Sequence, residues 1–358
     1  MRIKKLKLNN FRNFAEGELS IGDGTTVLYG GVGEGKTNII EAIFLLSVGR
    51  SYRTSETQQV ISWGKSEAVV WGEGADAAGG TSVAVKVTKN GKKIELNGEN
   101  NKKSIDLIGG LRSVLFHSED IAIVGGAPQE RRRYLDLAIS QSSKNYAYNL
   151  RDYYKILKQR NNALLKYANS DITAWDEQLS KVGAWITQVR GNVIKEIAGT
   201  ADQIIKSLAG ETQKLEIKYA PSGEDDPERF KGRLSRALNN DMARGMTTIG
   251  PHRDDFKILL SGMDARYYAS SGEKKTIVMA LKLAEVEFIR AVTGEKPMLL
   301  LDDVFSTLDT KRSKSLISVT GDGSQCVVTL TDLNLIRNEF KSGANLYEIQ
   351  EGRVKQAL

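Results

Sequence analysis

The chain has 358 residues, of which 40% are apolar and 27% are charged. This length and composition fit one large or two ordinary globular domains, and they exclude the disordered and fibrous classes. One cysteine and two histidines rule out an intrachain disulfide and argue against a Cys/His zinc cluster. The net charge of +7 is compatible with a polyanionic partner but identifies none by itself.

The N-terminal segment MRIKKLKLNNFRNF lacks the apolar core of a signal peptide, because charged residues interrupt its apolar pairs. No stretch approaches the roughly 20 apolar residues that a transmembrane helix needs. The sequence therefore predicts a cytoplasmic protein without a membrane partner.

Short strands are predicted at the N-terminal end of the chain. Ile3, Leu6 and Leu8 alternate with polar residues, and a second apolar run follows at 26–29. A glycine-rich loop then leads into a helix predicted at 38–47. Asn90-Gly91 lies between two alternating segments and indicates a β-hairpin.

The apolar spacing becomes helical from about Pro128. A long helix is predicted through residues 175–193, where apolar residues recur at spacings of four and three. An amphipathic helix at 271–291 and an apolar strand at 298–301 follow, and the segment around Cys326 is predicted to neighbour that strand.

These elements predict an α/β fold in two lobes. Residues 1–118 and 244–358 are predicted to form a lobe with a mixed sheet and a phosphate-binding loop. Residues 119–243 are predicted to form a mostly helical second lobe that splits the first one.

The segment GGVGEGKT at 30–37 fits the nucleotide-binding pattern G-x-x-x-x-G-K-[ST] between a strand and a helix. Glycines let backbone N–H groups surround a phosphate, and the helix N-terminus adds about half a positive charge. Lys36 is predicted to reach the β- and γ-phosphates of ATP, and the Thr37 hydroxyl is predicted to bind Mg²⁺. The predicted nucleotide contacts here are Gly30, Gly31, Gly33, Glu34, Gly35, Lys36, Thr37 and Asn38.

The apolar run MLLLDD at 298–303 ends in two acids and resembles a Walker B strand. An ordinary buried strand with a solvated end is the alternative. The Mg²⁺ of a P-loop nucleotide, however, needs a carboxylate at a neighbouring strand end. Asp302 is therefore the predicted Mg²⁺ ligand, and Asp303 is predicted to polarise the attacking water.

Two more motifs lie on either side of this strand. Ser270, Ser271, Gly272 and Glu273 open the amphipathic helix about 25 residues before it, an order that resembles the ABC signature motif. Helix capping is the alternative role for the same residues. The segment 306–309 resembles an ABC D-loop, which makes Asp309 another predicted nucleotide contact.

The order of P-loop, long insertion, signature, Walker B strand and D-loop is similar to that of ABC-type ATPases. Longer strings across nearly the whole chain are similar to the RecF family of ABC/SMC-type ATPases. These strings are LNNFRNF (8–14), GKTNIIEAI (35–43), GRSYRT (49–54), VLFHSEDIAIVGGAPQERRRYLD (114–136), TTIGPHRDD (247–255), SGEKKTIVMALKLAE (271–285) and LLLDDVFSTLD (299–309).

The resemblance implies an ATPase with ATP and Mg²⁺ as cofactors. It implies that Arg12 contacts nucleotide, that Arg53 senses DNA and nucleotide, and that Thr331 faces the γ-phosphate. Catalysis is accordingly assigned to Asp303, Lys36 and Thr331. The chain departs from its relatives at Val32, Glu273 and Tyr52; the first two departures are expected to lower nucleotide affinity or slow hydrolysis.

The implied mechanism joins two copies around ATP, with the signature of one copy meeting the P-loop of the other. The closed dimer clamps duplex DNA, or single-/double-strand junctions, and hydrolysis releases it. The basic residues of the helical lobe are predicted to contact phosphate, although a solvated helix face is the alternative. The predicted DNA contacts are Arg53, Arg131, Arg132, Arg133, Lys144 and Arg151.

The resemblance also implies recombinational repair with RecR and RecO, which help to load RecA at gaps. Three rival interpretations stay open. The chain could be the nucleotide-binding subunit of an ABC transporter, an SMC-like structural head, or an ATP-gated scaffold that does not hydrolyse ATP.

Overall fold

The structure of the protein is a computed structural model in which the chain forms two compact units. Residues 1–119 and 294–358 form unit 1, and residues 120–293 form unit 2. The residues that the structure describes are 2–76, 79–166, 172–307, 313, 316, 323–333 and 343–356.

The N-terminal part of unit 1 is mostly β-structure with one long helix. Its elements are β1 (Arg2–Phe11), β2 (Phe14–Ser20), β3 (Thr25–Tyr29), α1 (Lys36–Val48), β4 (Glu67–Asp76), β5 (Gly79–Thr88), β6 (Gly91–Leu96), β7 (Glu99–Lys102), α2 (Ser104–Leu107) and β8 (Ser113–His117). The predicted hairpin is confirmed, because Thr88 and Gly91 close the antiparallel pairing of β5 with β6.

Unit 2 is mostly helical and also contains a small sheet. Its elements are α3 (Ala122–Gly125), α4 (Pro128–Ser142), α5 (Lys144–Lys166), α6 (Thr173–Ala209), β9 (Leu215–Ala220), α7 (Pro227–Arg244), β10 (Asp255–Leu260), β11 (Met263–Asp264), α8 (Ala265–Tyr268) and α9 (Ser271–Thr293). The predicted long helix is confirmed as α6, which packs against α5, α7 and α9.

The chain then completes unit 1 with four strands. These are β12 (Met298–Asp302), β13 (Cys326–Leu330), β14 (Asn345–Gln350) and β15 (Arg353–Gln356). One six-stranded sheet has the order β2-β1-β4-β5-β6-β7, and a second has the order β15-β14-β3-β13-β12-β8. The predicted neighbour of the apolar strand is confirmed, since Leu299 pairs with Cys326 in a parallel ladder.

Helix α1 contacts strands of both six-stranded sheets. Most of its residues are buried, which fits a segment that is apolar on nearly every face. The five strands from β14 to β8 are parallel in the second sheet, so their carboxyl ends meet at one edge. The P-loop follows β3 at that edge, Asp302 ends β12 there and is followed by Asp303, and Thr331 follows β13.

Unit 2 contains a buried polar stripe on α6, formed by Asp176, Ser180, Thr187 and Arg190. The Arg190 guanidinium is 1% exposed and forms ion pairs with Asp136 and Asp254 at 2.8 and 2.9 Å. The α5 residue Arg160 is fully buried between Asp176 and Asp241, both at 2.6 Å. The charges of this stripe are thus balanced inside the unit.

The first boundary between the compact units, after residue 119, lies within one residue of the predicted lobe boundary after residue 118. The second boundary differs, because unit 1 resumes at residue 294 and the predicted lobe resumes at 244. Segment 244–293 was predicted to belong with the P-loop lobe. In the structure β10 pairs with β9 along its whole length, and α9 packs on α6. Because of these contacts, segment 244–293 packs as part of compact unit 2. The division of the chain into a P-loop lobe and a helical lobe with separate functions stays a prediction.

Along the described part of the chain, no helix combines the length and the apolarity that crossing a membrane requires.

Candidate nucleotide site and nucleic-acid contacts

The loop at 30–35 leaves β3 and turns directly into α1. Gly30 has a φ of 150°, and a Cβ there would lie 2.2 Å from the carbonyl oxygen of Ile349. Gly35 is the N-cap residue of α1 with a φ of 116°, a left-handed conformation that favours glycine. The loop therefore needs its glycines, and the N–H groups of the first helical turn lie at its end.

The side chain of Lys36 lies against this loop. Its Nζ donates hydrogen bonds to the carbonyl oxygens of Gly30 and Gly31 at 2.7 and 2.5 Å. Burial lowers the pKa of Lys36, while the carboxylates of Asp303, Glu34 and Asp302 act in the opposite direction. The Lys36 ammonium is thus held at the loop, and an anion bound there would raise the pKa of Lys36 and favour its charged form.

Asp302 at the end of β12 is the centre of a set of oxygen atoms. Its Oδ1 accepts hydrogen bonds from Thr37 Oγ1 at 2.8 Å and from Thr329 Oγ1 at 2.9 Å. Its Oδ2 accepts one from the Tyr52 hydroxyl at 2.9 Å. Carboxylate and hydroxyl oxygens are the ligands that Mg²⁺ prefers, so Thr37 and Asp302 fit this ion.

Sequence reasoning missed Thr329 and the position of Tyr52. Tyr52 is buried, and its pKa is raised by burial and by the charge of Asp302, so the hydroxyl stays protonated and donates. Its ring packs edge-on against Phe44 at 5.5 Å between centroids. The Tyr52 hydroxyl therefore helps to orient Asp302, the predicted metal ligand.

Asp303 and Thr331 are exposed at the same edge of the sheet. Asp303 has a φ of 51°, and its backbone N–H donates to Thr329 Oγ1 at 2.8 Å. This bond fixes the turn directly after Asp302. Asp303, which is predicted to polarise water, and Thr331 are therefore accessible to a ligand bound at the loop.

Glu41 on α1 organises a second group of polar residues. It is fully buried, and its carboxylate accepts two hydrogen bonds from Arg12, at 2.9 and 2.6 Å, one from Arg53 at 3.2 Å and one from Ser51 at 2.5 Å. Sequence reasoning missed Glu41, although a lone acid in the apolar run NIIEAIF was an available signal. Arg12, a predicted nucleotide contact, is held by Glu41 and by the carbonyl oxygen of Gln59.

Asn38 and Glu34 complete the surroundings of the loop. Asn38 accepts a hydrogen bond from Arg53 at 2.7 Å and donates one to Asn13 at 2.7 Å. The Glu34 carboxylate accepts from the backbone N–H of Glu351. The remaining predicted loop residues, Gly31 and Gly33, lie between these anchors, so the structure brings the predicted loop contacts together.

The signature residues lie in unit 2 at the N-terminus of α9. The Ser270 N–H donates to the Glu273 carboxylate at 2.8 Å, and the Glu273 N–H donates to Ser270 Oγ at 3.3 Å. This reciprocal capping box lowers the pKa of Glu273. Ser270, Ser271 and Gly272 are exposed, so capping and ligand contact remain compatible. Asp309 lies outside the described residues.

The predicted DNA contact Arg131 does not fit the structure. Its side chain is 4% exposed and forms a two-pronged ion pair with Asp255, at 2.6 and 3.0 Å. It also donates to the carbonyl oxygen of Gly126 at 3.0 Å. Arg131 therefore stabilises unit 2 and presents no charge to a phosphate.

The other predicted basic contacts are more accessible. Arg132 is partly exposed and donates to the carbonyl oxygen of Asp254 at 2.7 Å. Arg133, Lys144 and Arg151 are exposed. Arg151 lies 5.1 Å from the Tyr148 ring and pairs with Asp152, so it is oriented without being buried.

Known proteins resemble this chain along its whole length. A relative from Clostridium novyi (strain NT), named DNA replication and repair protein RecF, is 36% identical, with 99% of this chain and 100% of the relative covered. A protein of the same name from Alkaliphilus oremlandii (strain OhILAs) is also 36% identical, with the same coverage.

Solved structures agree with these sequence matches. The recombination mediator protein RecF with ATP, of the RecFOR pathway, is 34% identical with a TM-score of 0.92, covering 99% of this chain and 97% of that chain. The Smc head domain of Pyrococcus furiosus, bound to the C-terminal domain of ScpA, has a TM-score of 0.58 at 17% identity, covering 99% of this chain and 95% of that one, and shares the fold. The predicted fold class and family resemblance are confirmed. The sequence model of the RecF/RecN/SMC N terminal domain family matches residues 2–355, and the chain belongs to that family.

Proposed function

We propose that this protein is an ATP-dependent DNA-binding ATPase of recombinational repair, in which two copies close around ATP and clamp DNA. The observation that carries this proposal is the 2.8 Å hydrogen bond from Thr37 Oγ1 to Asp302 Oδ1, beside a P-loop that contains Lys36. Bound Mg²⁺, held by Thr37 and Asp302, would neutralise charge on the phosphate oxygens. Lys36 would exchange its loop carbonyls for phosphate oxygens.

Hydrolysis needs a group that orients and polarises water beside the terminal phosphate. Asp303 is exposed, follows the predicted metal ligand directly, and is fixed through its backbone by Thr329. Thr331 is exposed after the neighbouring strand and would face the same phosphate. These positions support Asp303 as the base and Thr331 as a contact to the γ-phosphate.

The signature segment gives a physical reason for dimerisation. Ser270, Ser271 and Gly272 are exposed at the N-terminus of the 23-residue helix α9. In a second copy they would offer a hydroxyl, N–H groups and the positive end of a helix dipole to the terminal phosphate. ADP lacks that phosphate, so only ATP would hold the two copies together.

The exposed basic residues support DNA as the partner. Arg133, Lys144 and Arg151 in unit 2 and Arg53 in unit 1 would contact phosphates, with Arg132 in a supporting position. Such contacts give sequence-independent, salt-sensitive binding. The names of the relatives place them in DNA replication and repair and in a RecFOR pathway. We accordingly extend the proposal to RecO and RecR as partners that help to load RecA.

Light scattering tests the dimer directly. With Mg·ATP the wild-type chain is expected to double its mass, and with ADP or no nucleotide it is expected to stay monomeric. Asp303→Asn should keep the ATP dimer for longer, because hydrolysis is slowed. Lys36→Ala serves as the control that lacks nucleotide binding and remains monomeric.

A wild-type chain that stays monomeric at saturating Mg·ATP and DNA would overturn this mechanism. Duplex binding by the isolated chain, measured across salt concentrations, separates the proposal from a transporter subunit. A chain with no salt-sensitive DNA affinity would favour the transporter interpretation.

A further inference from the structure

Strand β9 lies at an open edge of the small sheet in unit 2. The sheet has the order β11-β10-β9, and no other strand in the described part of the chain pairs with the outer side of β9. An open edge presents a row of main-chain donors and acceptors, which is a template for pairing with another extended segment. The outer side of β9 is therefore a candidate interaction surface.

The pairing of β9 with β10 determines which main-chain groups point outward. The Ser261 N–H donates to the carbonyl oxygen of Lys214 at 2.7 Å, so these two residues form a hydrogen-bonded pair of the antiparallel ladder. Bonded and non-bonded pairs alternate along such a ladder, so Ile217 and Tyr219 belong to non-bonded pairs. Their N–H and C=O groups consequently point away from β10, toward the open side.

Helix α6 runs along this open side and forms a groove with β9. The Leu215 N–H, which also points outward, donates to the Asp202 carboxylate of α6 at 2.8 Å. Further along, a Cβ placed on Gly191 of α6 would lie 3.5 Å from the Tyr219 ring. Helix and strand thus run in opposite directions, and the groove between them has a volume of about 440 Å³.

The helix side of the groove has a narrow floor and a polar rim. Gly191 contributes no side chain to the floor, and Thr187 and Ile194 are buried beside it. The Thr187 hydroxyl has no hydrogen-bond partner among the described residues, so a rotation of this side chain would let a polar group of a ligand satisfy it. The rim residues are exposed and recur at helical spacing; they are Gln188, Asn192 and Lys195.

The two ends of the groove carry opposite charges. Glu224 and Asp225 lie at the end that follows β9, where Glu224 forms an ion pair with Arg233 at 2.8 Å and Asp225 is exposed. The exposed Lys195 lies toward the other end, because α6 runs opposite to β9. Within the described part of the chain, neither Asp225 nor Lys195 forms an ion pair, so both charges are open to a ligand.

We propose that this groove, here called the β9 groove, binds an extended peptide segment of a partner protein, which pairs with β9 as a fourth strand. Main-chain hydrogen bonds to Ile217 and Tyr219 give affinity, and the groove gives specificity. A small or apolar peptide side chain packs over Gly191, and a lysine or arginine of the peptide lies beside Asp225. The carboxylates at this end repel phosphate, so the groove fits a peptide better than a nucleic-acid strand.

The β9 groove goes beyond the proposed function. It lies in unit 2 and uses none of the residues that are proposed to bind ATP, Mg²⁺ or DNA. Peptide binding is therefore expected with or without nucleotide.

Fluorescence anisotropy on the full-length chain tests the proposal with two labelled peptides. The first is a short peptide of alternating valine and threonine with one lysine, and the second carries glutamate in place of that lysine. Exposed charge pairs contribute little individually, so the wild type should bind the lysine peptide about fivefold more tightly than the glutamate peptide.

Ile217→Pro tests the main-chain pairing. The Ile217 N–H points outward and makes no bond to β10, so proline is compatible with this edge position. The peptide loses one main-chain hydrogen bond, and its affinity should fall by about tenfold. Ile217→Ala is the matched control, because it removes the same side chain and keeps the N–H. It should retain most of the affinity, and thermal unfolding should show that both variants are folded.

Asp225→Lys tests the charge without touching the strand. The substitution should reverse the preference, so that the glutamate peptide binds more tightly than the lysine peptide. Glu211→Lys changes another exposed acid of unit 2 that does not line the groove, and it should keep the wild-type preference. This pair of variants keeps the test decisive even if Ile217→Pro does not fold.

Several results would overturn the β9 groove. They are a wild type that binds neither peptide, equal peptide affinity for Ile217→Pro and Ile217→Ala, and an unchanged preference in Asp225→Lys. Nucleotide-independent self-association that Ile217→Pro abolishes would assign the edge to a second copy of the chain. Displacement of the peptide by single-stranded DNA from the wild type but not from Asp225→Lys would assign the groove to nucleic acid. A failure of the proposed function appears instead as a missing ATP dimer, which these peptide measurements do not involve.

Discussion

The P-loop edge of unit 1 and the polar stripe of unit 2 both concentrate charged residues, but they balance them differently. In unit 2, Arg160 and Arg190 each lie between two aspartates and are almost fully buried. At the P-loop edge, Asp303 is open to solvent, and the hydrogen bonds that Lys36 donates within the described part of the chain go to neutral loop carbonyls. Charge balanced inside the protein holds helices together, whereas charge left open at an edge can act on a ligand.

The largest effect is expected from breaking the balanced charges of unit 2. The Asp241 carboxylate is fully buried and accepts from Arg160 at 2.6 Å and from the backbone N–H of Thr248 at 2.9 Å. Asp241→Ala leaves a buried arginine short of one partner, which typically lowers the free energy of unfolding by about 3–5 kcal/mol. Urea denaturation measures this change.

The exposed ion pair of Glu177 with Lys181 is the matched control. Glu177→Ala should leave the unfolding midpoint nearly unchanged, because exposed pairs contribute little. If Asp241→Ala were no more destabilising than Glu177→Ala, the stripe would not hold unit 2 together, and the contrast between the two regions would disappear.

A smaller effect on stability is expected from protonating His252, a residue beside the buried polar stripe of unit 2. Its Nε2 donates to the carbonyl oxygen of Thr247 at 3.0 Å, and its Nδ1 accepts from the Tyr153 hydroxyl at 2.7 Å. Burial lowers the pKa of His252 to about 4. The imidazole is therefore neutral near pH 7, and its two hydrogen bonds give it a structural role in unit 2.

Because the folded pKa lies below the ordinary value of about 6.5, the unfolded chain takes up this proton first. The stability from His252 is complete above pH 6.5 and falls by on the order of 2–3 kcal/mol as the pH drops toward 4. Burial raises the pKa of Glu285 to about 7, which changes stability in the opposite direction over this range. The test is thus the difference between the wild type and His252→Gln, since Glu285 contributes to both. Two parallel pH–stability curves would contradict the assignment.

The local motifs of this chain could be predicted from sequence, because each is a contiguous run. The loop at 30–37, the strand ending at Asp302 and the capping residues at Ser270 and Glu273 all lie where the spacing placed them. The partners that decide each residue's role could not be predicted. Arg131 forms an ion pair with Asp255, which is 124 residues away in the sequence, and Tyr52 donates a hydrogen bond to Asp302, which is 250 residues away.

The same limit explains the small sheet of unit 2. Strand β9 lies inside a segment predicted to be mostly helical, and its pairing partner β10 begins 35 residues after the end of β9, at Asp255 against Ala220. Neither strand is stable without the other, so no local pattern fixes the pair. Sequence periodicity therefore identified the long helix α6 but not the strand that follows it.

The smallest effect is expected at the open edge, from removing one hydroxyl. Tyr52→Phe deletes the 2.9 Å hydrogen bond to Asp302 Oδ2 and keeps the ring that packs on Phe44. Groups that orient a metal ligand typically change metal affinity by about tenfold when they are lost. The Mg²⁺ concentration that half-saturates the thermal stabilisation by ATP should therefore rise by about that factor, while stability without nucleotide changes little.

Tyr134→Phe is the matched control for this change. The Tyr134 hydroxyl is also buried, but it donates to the carbonyl oxygen of Leu281 in unit 2 at 2.8 Å. Its removal should lower stability without moving the Mg²⁺ midpoint, which is the reverse of the result expected for Tyr52→Phe. Equal Mg²⁺ midpoints for the wild type and Tyr52→Phe would mean that Thr37 and Thr329 orient Asp302 without help from the tyrosine, because both donate to the other carboxylate oxygen.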